Sequence, residues 1–143
     1  MIGTSTATVQ SVAPGLFTAD STGKGVAMAK AIQVGVDGQS SMTPIYQCSD
    51  GTCSSTPINL GVDTPTYLEL YGTGIRNQSS LSNVSVTING MSVPVLYAGA
   101  QDGVVALDQV DVALPLSLQG SGETNLVLTV DGQTANTVRV NIQ

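Results

Sequence analysis

The stretch N-V-S-V-T-I-N-G-M-S-V-P-V-L-Y-A, residues 83–98, decides the fold class. Val84, Val86 and Ile88 alternate with Ser85 and Thr87, Asn89-Gly90 intervenes, and Ser92-Val93-Pro94-Val95-Leu96 resumes a strand-like run. Alternation with period two puts every second side chain on one face of an extended chain. Asn-Gly tolerates the positive φ angles of a two-residue turn, glycine because it lacks Cβ and asparagine because its short polar side chain bonds locally. The stretch therefore reads as an antiparallel hairpin. A second hairpin follows in T-N-L-V-L-T-V-D-G-Q-T-A-N-T-V-R-V-N-I, where Asp131-Gly132 separates Leu126, Leu128 and Val130 from Val138, Val140 and Ile142. Asp37-Gly38, after K-A-I-Q-V-G-V, is a third and weaker turn signal.

Working outward, further strands read over residues 25–34, 42–48, 66–72 and 106–114. In T-Y-L-E-L-Y-G, Leu68 and Leu70 alternate with Tyr67, Glu69 and Tyr71, and in A-L-D-Q-V-D-V-A-L, Val110, Val112 and Leu114 alternate with Gln109, Asp111 and Ala113. One apolar face per strand describes antiparallel sheets covered on one side. No window sustains the 3.6-residue period of a helix. The fold class is all-β, and about seven to nine short strands at this spacing make a sandwich or a barrel. Pro14-Gly15 sets off residues 1–13 as an N-terminal strand or arm, which leaves residues 14–143 as one domain.

Composition narrows function by exclusion. Only 10% of the 143 residues are charged, with four Lys and Arg against ten Asp and Glu, a net charge of −6. Phosphate neutralisation supplies most nucleic-acid affinity, so nucleic-acid binding is not expected, nor is adhesion to anionic membranes. No apolar run reaches the roughly 18 residues that span a bilayer, so membrane insertion is not expected either. The chain contains no histidine. General-base work would fall to carboxylates, and a nucleophilic Ser or Thr lacks its usual partner, so the expectation is a protein that is not an enzyme and carries no cofactor.

The two cysteines lie in C-S-D-G-T-C, residues 48–53. A zinc site needs about four ligands, usually Cys and His, and a redox pair would be C-x-x-C. The residues leave a Cys48–Cys53 disulfide closing a short loop as the favoured reading and two free thiols as the alternative. Oxidation would place the protein outside a reducing cytoplasm.

From Leu68 onward, L-E-L-Y-G-T-G-I, the Asn89-Gly90 hairpin, Asp108-Gln109-Val110, Leu114-Pro115 and the Asp131-Gly132 hairpin form a pattern similar to IPT/TIG-type immunoglobulin-like domains. Together with V-Q-S-V-A-P-G-L-F-T-A-D-S-T-G-K-G-V-A near the start, the chain from about Thr6 to Gln143 resembles an uncharacterised C-terminal domain family of Solibacter-type acidobacterial exported proteins. The resemblance implies an immunoglobulin-like two-sheet β-sandwich in an extracellular or cell-envelope setting, and it brings no catalytic residues. It implies a non-catalytic structural or interaction module ending a larger exported protein. Its expected partners are the other domains of the same parent chain and a protein or glycan surface.

Two alternatives stand beside that reading. A carbohydrate-binding module would use an exposed face built on Tyr67 and Tyr71, with Tyr46 nearby. A self-assembling subunit would form homo-oligomers by lending its N-terminal strand to a neighbour. Calcium is the one ion that acidic, oxygen-rich loops would suit, with Asp50 and Asp102 as weak candidates, yet turn-forming Asp before Gly explains both. Lys30, flanked by apolar residues, is a candidate for an internal isopeptide crosslink if it faces inward; a surface lysine is the ordinary alternative. Asp108 shares a strand face with Val110 and Val112, as a buried acceptor orienting a turn would.

Overall fold

Alternating apolar residues become strands along most of the chain, and glycine-containing turns set where those strands reverse. The structure is a computed structural model that describes residues 12–61, 64–101 and 106–143. Thirteen strand segments follow in order: β1 (Gly15–Leu16), β2 (Ala29–Val34), β3 (Ser40–Pro44), β4 (Tyr46–Ser49), β5 (Thr52–Ser55), β6 (Thr66–Thr73), β7 (Val84–Ile88), β8 (Met91–Val93), β9 (Val95–Ala100), β10 (Asp108–Leu114), β11 (Gly122–Val130), β12 (Gln133–Thr134) and β13 (Val138–Ile142). Two 3-10 turns, Leu81–Asn83 and Leu116–Leu118, are the only helical elements among the described residues. The fold is all-β, as the alternation requires.

The strands form two antiparallel sheets and a separate hairpin. The first sheet has the order β3-β2-β6-β10-β9, with β1 pairing the far end of β6. The second has the order β12-β11-β7-β8, with β13 also on β11. One core joins them, with Leu68, Leu70, Val110 and Val112 from the first sheet and Val86, Ile88, Leu126, Leu128, Val138 and Val140 from the second. Each such side chain contributes about 1.5–3 kcal/mol when fully buried, so the alternating faces are what hold the two layers together.

Both Xaa-Gly hairpins form as read. Asn89 and Gly90 have φ of 53° and 75°, and Asp131 and Gly132 have 48° and 80°. Asp50 and Gly51 make the same kind of turn between β4 and β5, with φ of 53° and 79°.

The count of thirteen exceeds the expected seven to nine because several expected strands are broken, each for a local reason. The run 92–96 is split at Pro94, which has no N–H to donate to a ladder. There the chain leaves the second sheet, where Val93 pairs Val86, and enters the first, where Val95 pairs Val112. The run 42–48 is split at Ile45, whose side chain is driven into the core at 1% exposure. The run 25–34 begins with Val26 bridging Arg139 of β13 in parallel before β2 joins β6. The expected N-terminal arm of residues 1–13 lies outside the described residues except for Val12 and Ala13; Ala13 donates its N–H to the Gly74 carbonyl at 3.0 Å.

Candidate functional site

The outward face of the first sheet brings several ionisable side chains into one register. Register places Lys30 of β2 opposite Glu69 of β6, Glu69 opposite Asp111 of β10, and Asp111 opposite Tyr97 of β9. These four residues therefore form one row across four strands. Rows on either side hold Ile32, Tyr67 and Ala113, and Tyr71, Gln109 and Gly99.

Tyr71 is packed into this face. It is 9% exposed, its hydroxyl donates to Glu69 Oε1 at 2.5 Å, and the Lys30 amine sits 5.9 Å from its ring centre. Burial, with the hydrogen bond and negative charge of Glu69 behind it, pushes the Tyr71 hydroxyl up out of the usual phenol range. Tyr67 is half-buried on the same strand face. The two tyrosines singled out from the sequence thus share a face, but Tyr71 offers a hydrogen-bonded, lysine-covered ring and not an open one. Lys30 belongs to this outward row. The inward-facing lysine considered for an isopeptide crosslink is corrected here, because the neighbours Ala29 and Ala31 of β2 take the core positions opposite Leu70 and Leu68.

Glu69 and Asp111 stand directly opposite each other, an arrangement that like charges disfavour. Burial and, after it, the charge of Glu69 raise the Asp111 carboxyl above its ordinary value, while the Gln109 amide opposes the shift by donating to both oxygens at 2.9 and 3.1 Å.

At the end of this row lies a feature that sequence reading missed. A β-bulge falls in β9 between the pairs Val95–Val112 and Tyr97–Asp111, so Leu96 is the extra residue. Without it, Tyr97 would point inward with Val95. With it, Tyr97 turns outward and is 42% exposed. Its hydroxyl donates to the Ala100 carbonyl at 2.5 Å, which lays the ring along its own strand. A Cβ on Gly99 would stand 3.0 Å from the Tyr97 oxygen and 3.3 Å from Cζ, so only glycine fits beneath the ring without displacing it. The pair Tyr97 and Gly99, two apart in Y-A-G, was the available signal: an aromatic ring covering a glycine on the same strand face. Tyr97, Ala100, Gln109 and Asp111 line an open hollow of about 350 Å³.

Asp108, Asp131, Asp20 and the two thiols fasten loops. Asp108 is 2% exposed and accepts from the N–H of Ile75 at 2.7 Å, the N–H of Arg76 at 3.0 Å and Arg76 Nε at 2.6 Å. It pins the turn after β6, the role its strand face implied. Asp131 accepts from the N–H and hydroxyl of Ser79, and Asp20 accepts from Thr18 and Thr22. Cys48 and Cys53 are directly opposed in the β4–β5 hairpin and joined by a disulfide, their Cα atoms 4.0 Å apart. Asp50 forms the exposed tip of that hairpin, and Asp102 lies outside the described residues. Among the described residues, no three His, Cys, Asp or Glu side chains cluster to hold a metal ion, and no helix is long and apolar enough to cross a membrane. No family model, no curated protein and no solved structure matches this chain.

Proposed function

We propose that this chain is a non-catalytic structural and interaction module of immunoglobulin-like type, part of a larger exported protein, as its resemblance to the Solibacter-type C-terminal domains implies. The observation that carries the reading is the employment of its polar side chains. Asp20, Asp108, Asp131 and Asn136 each close on backbone groups of nearby or distant loops, and the two thiols close on each other. Such a module keeps a fixed shape and presents surfaces; Asp20, Asp108 and Asp131 are turned to anchoring.

Strand order supports the immunoglobulin-like assignment. The sequence β2-β6-β10-β9 matches the A-B-E-D sheet of that fold, and β13-β11-β7-β8 matches a G-F-C sheet with one added edge strand. The hairpin β4–β5 is then an insertion between the first two strands. Its exposed disulfide suits an oxidising compartment, where such bonds persist.

Thiol alkylation in intact cells of the source organism, with a membrane-impermeant reagent, tests the location. Labelling of Cys48 and Cys53 by that reagent only after an impermeant reductant is added supports export. Labelling without reductant refutes an oxidising setting, and no labelling even after reduction refutes exposure at the cell surface.

A further inference from the structure

The open hollow beside Tyr97 is exposed, and the groups that line it are held in place. Two groups fix the aromatic ring: Gly99 leaves room beneath it, and the Ala100 carbonyl holds its hydroxyl. One strand in from the edge, the Asp111 carboxylate is held by both hydrogen bonds from Gln109. A carboxylate has about four lone-pair sites, so these two bonds leave acceptor capacity on Asp111. The hollow also sits at the small end of the roughly 300–1,000 Å³ typical of ligand sites.

We propose that Tyr97, Gln109 and Asp111 form a binding site for a neutral pyranose unit of a glycan. The inference goes beyond the structural role above and stands independently of it. A pyranose has an apolar face of C–H groups that stacks on an aromatic ring, and an edge of hydroxyl donors that a carboxylate accepts. Tyr97 supplies the ring and Asp111 the acceptor, on adjacent strands in direct register. Tyrosine suits this task because it offers a large contact area with few rotatable bonds, and here even those are held before the ligand arrives. Charge selects against acidic sugars. Glu69 stands next to Asp111 on the same face, and the whole chain carries −6. The site is therefore distinct from a platform on Tyr67 and Tyr71, whose second ring lies under Lys30.

The test is titration of isotope-labelled protein with cellohexaose, chitohexaose, xylohexaose and maltohexaose, with oligogalacturonate as the acidic control, followed by amide chemical shifts. At least one neutral hexaose should move the signals of residues 97–100 and 109–111. Tyr97→Ala should bind it at least tenfold more weakly, a loss of ~1.4 kcal/mol. Tyr97→Phe, which keeps the ring, should stay within about threefold, and Tyr67→Ala within about twofold. Because Tyr97 is exposed, its variants should retain the dispersed spectrum of the folded protein, and that spectrum is the control for folding. The proposal is overturned if no neutral hexaose moves those signals, if folded Tyr97→Ala binds like the wild type, or if oligogalacturonate binds as tightly.

Discussion

Replacing Asp108 by Ala removes the acceptor for three donors at once, and the structure lets the cost be divided among them. The Ile75 N–H is fully buried with its residue and has the carboxylate as its partner at 2.7 Å; the Arg76 N–H is the second, at 3.0 Å. Hydrogen bonds to a charged group are worth about 1.5–3 kcal/mol, and a buried donor left without a partner forfeits that amount. Arg76 is different, because its side chain is 39% exposed and its guanidinium can return to water. Its ion pair therefore adds at most about 1 kcal/mol. At the lower end of that range the two N–H groups together lose about 3 kcal/mol and the ion pair adds up to about 1, so Asp108→Ala should cost about 3–4 kcal/mol, a large share of the roughly 5–15 kcal/mol that stabilises an ordinary domain. With a urea slope of about 1.5–2 kcal/mol per molar, the unfolding midpoint should fall by about 2 M. Tyrosine fluorescence or far-ultraviolet circular dichroism reads the transition, since the chain contains no tryptophan. Arg76→Ala, measured alongside, should cost under about 1 kcal/mol. The reasoning fails if Asp108→Ala costs less than about 1 kcal/mol, or if Arg76→Ala costs as much as Asp108→Ala.

Three further outcomes follow from individual contacts. Reducing the Cys48–Cys53 bond should lower stability by no more than ~2 kcal/mol by loop entropy, leaving a cooperative transition, because the bond closes only a short exposed hairpin; two alkyl groups per chain should add only after reduction. Asn136→Ala should strip amide-exchange protection from the segment around Leu16 while β6 and β10 stay protected, since its side chain bonds the Leu16 N–H at 2.8 Å, the Leu16 carbonyl at 2.9 Å and the Gly23 carbonyl at 2.7 Å. Asp111 binds its proton more tightly when folded than when unfolded, so its contribution to stability falls as pH rises from the ordinary carboxylate range into the raised one. Asp111→Asn should accordingly be more stable than the wild type at neutral pH, with the difference vanishing below the ordinary range; a difference that persists at low pH would point to packing instead.

What the sequence determined by itself was local. The positive φ angles at Asn89-Gly90 and Asp131-Gly132 follow from residues that tolerate them, and the inward faces of β6, β7, β10 and β11 follow from period-two alternation. The burial of Asp108 was also legible, because a strand face is inherited from its neighbours Val110 and Val112. The proximity of the two cysteines was legible from spacing and the turn between them from Asp50-Gly51, whereas the strand pairing of β4 with β5 was not.

Only the tertiary structure decided which sheet each strand entered, because pairing partners are set by long-range burial and not by the residues of one strand. Lys30 illustrates this. Its apolar flanks fit either face, and the choice came from Ala29 and Ala31 meeting Leu70 and Leu68. Tyr97 illustrates it more sharply. Simple alternation from Val95 would bury it, and the bulge at Leu96 reverses the phase of the strand so that it faces solvent beside Asp111. A bulge arises where one strand must keep register with its neighbour while the chain on either side is anchored, here by the sheet switch at Pro94 and the pairing of Ala98 with Val110. Those anchors exist only once both sheets have closed around the core.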